Sequence, residues 1–190
     1  MEHLNIRSEN QMRIWSLDCD VDKYENLMWK EKFDLEEVQS FDGREKSKDW
    51  NPIKVKRMYN REFSNTPGFS SHIPVFDNDA VNVLYDLLEG SAEVLPLDCE
   101  EGTFFAINVT KVIDCIDYEK SSYKTFRDGK RVMRFINYVF KPDRVKSQHM
   151  FKISDEPLKR PFVSDEFRNR VIESGLTGFV FKLVWDSEQE

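Results

Sequence analysis

Glycine and proline are scarce, with seven of each in 190 residues, and histidine and cysteine are scarcer, with three of each. A chain so poor in Gly and Pro, with 39% hydrophobic and 13% aromatic residues, is neither a fibrous repeat nor a disordered low-complexity segment. Cys19, Cys99 and Cys115 form an odd set at wide spacing, without a C-x-x-C pair or a histidine at metal-ligand spacing. This argues against a disulfide framework and fits reduced thiols packed as small core residues. No apolar run approaches the ~20 residues of a membrane-spanning helix. The opening MEHLNIRSENQMRIW lacks the apolar stretch of a secretion signal. These absences lead to the expectation of a soluble, cytoplasmic protein.

The usual signs of catalysis are missing as well. Acid–base chemistry at neutral pH most often relies on a histidine held against a nucleophile or carboxylate, and His3, His72 and His149 stand in no recognisable motif. The sequence contains no H-x-x-x-H, H-E-x-x-H, G-x-S-x-G, phosphate-loop or G-x-G-x-x-G pattern. No catalytic, cofactor-binding or metal-ligating residue is therefore assigned, and no cofactor is expected. The formal charge of −7 and pI near 5.2 set a field that repels phosphate backbones and anionic lipid, although a local basic patch can override that average. Nucleic acid and membrane are not expected partners.

What is present reads as an α+β chain. Met12–Leu17 predicts a first strand, and YENLMW a short helix. FDLEEVQSF fits one or two helical turns or a strand, before a turn at Asp42-Gly43. Ile53, Val55 and Tyr59 alternating with Lys54 and Lys56 predict a half-wet strand. Residues 60–74 predict a long irregular loop of the kind that is often functional or mobile. One of Asp77, Asn78 and Asp79 is expected to cap a helix with the stripe Ala80, Val81, Leu84, Leu87 and Leu88, closed by Gly90. TFFAINV and VIDCID predict consecutive strands. Asp128-Gly129 predicts a two-residue hairpin loop, with the run Val132 to Phe140 as a central strand. After a strand at Met150–Ile153, Ser164 is expected to cap a helix burying Phe167, Val171 and Ile172. A closing strand is expected to place Phe179, Phe181, Leu183 and Trp185 on one face. No period recurs, which excludes a solenoid.

Two acidic clusters stand out. Asp18, Asp20 and Asp22 imitate the opening of a calcium loop, but Lys23 replaces its turn glycine and Trp29 its bidentate Glu, so a solvated edge is the preferred reading. Asp98, Glu100 and Glu101 occupy an acidic turn. Either cluster would speed capture of a basic partner. With Phe69 and His72 from the long loop, these eight residues are the candidate partner contacts. Trp29 and Phe69 are the aromatic side chains expected to be exposed.

Taken in order, IWSLDCDVDKYENL, WNPIKV, PVFDNDAVNVLYDLLEGSAEVLPLDCEEGTFFAINVTKVIDCIDYEKS and FVSDEFRNRVIESGLTGFVFKLVW resemble an immunity-protein family of bacterial polymorphic toxin systems, long known only as a domain of unknown function. The resemblance runs from about Ile14 to Trp185. Its most specific pieces are LPL to INVT with the following VIDCID, and FVSDEF through GLTGF. It implies a protein that binds and neutralises a cognate toxin, encoded by an adjacent gene, and it transfers no contact residue. The expected architecture is a single α+β domain over 1–190 with flexible ends at 1–11 and 186–190. The expected core is a mainly antiparallel sheet with two or three helices packed on it. The alternatives are a hydrolase or transferase with an unrecognised site, and a small-ligand regulatory binding module.

Overall fold

A computed structural model describes residues 11–189, so the expectation for the first ten residues lies outside what is described. The first described strand is β1 (Arg13–Cys19), after which the chain turns through Asp20–Tyr24 and continues as β2 (Leu27–Trp29). YENLMW is thus a turn and strand and not a helix, because Leu27 pairs across to Arg57 and buries its side chain. Asp34 caps the five-residue α1 (Leu35–Gln39) by accepting from the Glu37 N–H, and β3 (Lys54–Arg57) follows with Val55 buried between two exposed lysines. Next come β4 (Val75–Asp77) and α2 (Asn78–Leu88), capped by Asp77, whose carboxylate accepts from the Ala80 N–H. Ala80, Leu84, Leu87 and Leu88 are its buried stripe.

The acidic turn is itself partly strand: β5 (Ala92–Pro96) leads into the two-residue β6 (Asp98–Cys99) before β7 (Phe104–Val109) and β8 (Val112–Ile113). A hairpin of β9 (Ser122–Thr125) and β10 (Val132–Asn137) precedes α3 (Pro142–Val145) and the fully buried β11 (Met150–Ile153). The chain closes with β12 (Phe162–Ser164), α4 (Asp165–Glu173) capped by Ser164, and β13 (Phe179–Asp186).

Among the described residues these thirteen strands form four sheets. One has five strands in the order β13-β1-β12-β11-β8, two have three strands (β2-β3-β6 and β4-β7-β5), and the last is the β9–β10 ribbon. The fold is mixed and mostly sheet, with four α-helices among the described residues, two of them a single turn. The sheets are not purely antiparallel as expected: β8 runs parallel to β11 and β6 parallel to β3. Each is a two-residue strand at the edge of its sheet, too short to announce its direction in the residue pattern.

Alternation along the strands sends side chains to different cores. Leu17, Met150 and Val163 meet α2, α4, Phe76 and Ile107 in one cluster. Ile14, Phe151 and Phe162, from the other face of the five-stranded sheet, meet Phe135, Phe140 and Trp185 in a second. A third joins Val75, Leu95, Phe104 and Ala106 to Val55, Phe41 and Ile73. Three local expectations fail for identifiable reasons. An extra residue in β13 between the partners of Ile14 and Trp15 is a bulge, and it moves Trp185 to the face opposite Phe179 and Phe181. Ile172 lies on the outer side of α4, 54% exposed, while Phe167 and Val171 are buried. The Asp128-Gly129 turn closes a hairpin, but Asp128 keeps negative φ and only Gly129 adopts φ +67°, with its N–H donating to the Phe126 carbonyl. The loop is longer than the two-residue form, and β10 is one strand of a two-stranded ribbon instead of a central strand.

Candidate interaction surfaces

The eight candidate contacts do not converge. Asp18 ends the exposed side of β1 and pairs with Arg160 at 2.9 Å, Asp20 accepts from the Lys23 N–H at 3.0 Å to close a turn, and Asp22 is exposed. Asp98 stands in the separate β2-β3-β6 sheet, and beyond it Glu100 pairs with Lys30 while Glu101 accepts from the Cys99 thiol. Among the described residues no group of three or more His, Cys, Asp or Glu side chains is arranged to hold a metal ion. Phe69 is half-buried and stacks on Trp29 with ring centroids 5.9 Å apart, so both rings lean on the third core instead of projecting outward.

His72 is buried, and its Nε2 lies 2.9 Å from the Val38 carbonyl. A carbonyl can only accept, so Nε2 carries a hydrogen. Burial pushes its pKa down, and the nearby Lys152 adds to this despite the bond to Val38. Lys152 in turn is buried on β11, donates to the Phe41 carbonyl at 2.8 Å, and is pulled down to about 8 by burial. The two side chains hold carbonyls at the end of α1 and just beyond it. The loop of residues 60–74 is similarly bound in. Ser64, Thr66 and His72 are buried, and Asn65 donates to Asp77 at 2.8 Å while accepting from the Thr177 backbone N–H at 2.8 Å. The loop is stitched to the cap of α2 and to the turn before β13.

An open groove of about 820 Å³ lies beside α1, lined by Trp29, Trp50, Glu37, Lys46 and Lys54. Several of its polar groups pair with one another, as Lys54 does with Glu31 at 2.9 Å. Lys46 pairs with Glu37 at 2.9 Å, bonds Ser40, and lies over the Phe41 and Trp50 rings at 4.9 and 5.7 Å.

The β9–β10 ribbon is predicted by its sequence as a hairpin but not as a contact surface, and it carries several exposed large apolar side chains. Phe135 turns inward against Tyr118, Tyr123 and Tyr138. Phe126, Met133 and Ile136 turn outward, and Ile136 is 63% exposed. Two register shifts interrupt the six residues of β10, leaving Met133 and Ile136 without an opposite residue. The signal that would have found the ribbon was local charge. Residues 120–146 hold nine Lys and Arg against Asp128 and Asp143, in a chain whose total is −7.

Residues 97–186, just under half of the chain, match the family model described as Immunity protein family (Imm11). The chain thus resembles an immunity protein family over the segment from the end of β5 to the last residue of β13, which includes the ribbon. No curated protein matches it. No helix among the described residues is long and apolar enough to cross a membrane.

Proposed function

We propose that this protein is an immunity protein that binds a cognate toxin domain one-to-one and holds it inactive in the cytoplasm of the cell that makes it. The observation that carries this reading is the family match over residues 97–186. Neutralisation by occlusion asks for a well-packed body to carry the contact surface and needs no cofactor or reaction of its own. The interior supports such a surface. Three core clusters lie on both faces of the five-stranded sheet and of the β4-β7-β5 sheet, and the long loop is tied down by Asn65 and His72. The partner is a toxin domain encoded beside this gene, and neither nucleic acid nor membrane takes part. Charged surfaces available to meet it include the acidic turn Asp98, Glu100 and Glu101 and the basic ribbon.

The test is co-expression with the C-terminal domain of the neighbouring gene product, scoring growth and co-purification together. Restored growth with a stable complex is the expected result. A domain that remains toxic in the presence of this protein removes the assignment for that pair, and rescue without a complex would move the function to an enzymatic one.

A further inference from the structure

We propose that the β9–β10 ribbon is the toxin-docking element and that it takes an acidic, carboxylate-bearing protein surface. This rests on the immunity reading and adds to it the surface used and the chemistry of the partner.

The first observation is charge segregation. Nine of the chain's 28 Lys and Arg lie in residues 120–146 against two Asp, so the remainder of the molecule is twice as negative as the whole. Lys124, Arg127, Lys130, Arg134, Arg144 and Lys146 have no ion pair among the described residues. Arg131 alone is paired within the ribbon, with Asp128 at 2.8 Å.

The second observation is a local cost that folding does not relieve. Lys124 and Arg134 are directly opposite in the antiparallel register. Like charges in that position destabilise a ribbon, and a carboxylate placed between them by a partner would reverse the sign. The third is the apolar content beside these cations. Met133 and Ile136 stand at the two bulges without a cross-strand neighbour, and Phe126 is exposed at the tip. Arg131 lies over the Phe126 ring at 5.1 Å, and exposed apolar side chains interspersed with Arg are the composition of a protein–protein hot spot. A nucleic acid strand long enough to bind tightly would extend past the ribbon into the field of an otherwise acidic molecule, whereas a compact acidic patch need meet only the ribbon.

The experiment compares the full chain with its Lys124→Glu/Lys130→Glu variant, and with Glu100→Lys/Glu101→Lys, for binding to the C-terminal domain of the neighbouring gene product at low and high salt. Thermal unfolding of each variant is measured alongside. The expected result is a ribbon variant that binds about tenfold or more weakly, with a flatter salt dependence and an unfolding temperature no lower than the parent's. Unchanged affinity in the ribbon variant, with the parent binding and protecting, overturns the ribbon assignment and leaves the immunity reading standing. So does loss of the complex only on reversal at Glu100 and Glu101, which would move docking to the acidic edge. A parent chain that neither binds nor protects sinks both. Ribbon-dependent retention of a labelled oligonucleotide by a chain that does not bind the toxin domain would make the partner a nucleic acid and overturn the acidic-protein assignment.

Discussion

Glu25 is fully buried, and its carboxylate organises the turn that brings the end of β3 back toward β2. It accepts from the backbone N–H groups of Asn26, Tyr59 and Arg61 at 3.0, 2.6 and 3.0 Å, with Arg57 at 3.3 Å. Burial works against its ionisation, yet these donors prevail and hold its pKa below the usual carboxylate value. Glu25→Ala leaves three backbone donors without their acceptor and should cost about 3 kcal/mol in urea unfolding. The lowered folded pKa fixes the sign of the pH effect. Glu25 stabilises fully above the unfolded value of about 4.3 and loses that contribution as pH falls through the folded one, so the parent's excess over the variant should shrink in acid below about pH 4. Lys152 has the opposite profile. Its folded pKa of about 8 lies below the ordinary lysine value of about 10.4, so the unfolded chain binds the extra proton between them. The penalty of burying the ammonium is full below pH 8 and is relieved as pH rises toward 10. Relative to Lys152→Met, the parent should gain on the order of 2–3 kcal/mol across that window. A flat difference would mean the ammonium is not desolvated as its 1% exposure indicates.

At the scale of elements, the chain announced itself where a local rule acts alone. Helix α2 was legible from Asp77 to Gly90 because a cap, a 3.6-residue stripe and a terminal glycine agree, and α4 from Ser164 for the same reason. Where pairing across the fold decides, residue pattern failed: Leu27–Trp29 is strand because β3 lies beside it, and Trp185 changes face because β13 carries one residue more than β1. The turn before β13 shows a similar long-range constraint. Gly178 has φ +85°, and a Cβ there would lie 2.2 Å from Ser64 Oγ and 2.5 Å from its Cβ. Its carbonyl also accepts from the Asp20 N–H at 2.8 Å. Gly178→Ala combines a disfavoured dihedral with a clash against the loop and should destabilise by roughly 2–3 kcal/mol. The milder Ser164→Ala, which removes the acceptor for the Phe167 N–H at 3.2 Å, should cost about 1 kcal/mol. Equal unfolding midpoints for the two variants would contradict this ranking.

At the scale of the molecule, average charge concealed the feature on which the functional proposal turns. A net −7 describes neither the acidic body nor the basic ribbon, and the acidic clusters drew notice because their carboxylates are adjacent in sequence while the cations are spread over 27 residues. The same ribbon is also the least secured part of the sheet structure. β1 is hydrogen-bonded on both sides and β11 is buried along its whole length. β9 and β10 pair only with each other, across two register shifts and a like-charge pair. Opening the ribbon therefore exposes little beyond Phe135 and breaks few ladder bonds, and it can occur without disturbing the cores that hold β1 and β12. Amide hydrogen exchange should show residues 122–137 exchanging about a hundredfold or more faster than β1 and β12, equivalent to about 2.7 kcal/mol or more in opening free energy. Replacing Lys124 with Glu puts opposite charges across the ribbon. It should raise protection there by up to about fivefold, while leaving β1 unchanged. Uniform protection across the molecule would instead mean that the ribbon opens only with the whole fold. In that case the Lys124–Arg134 opposition would be a cost borne by the entire native state.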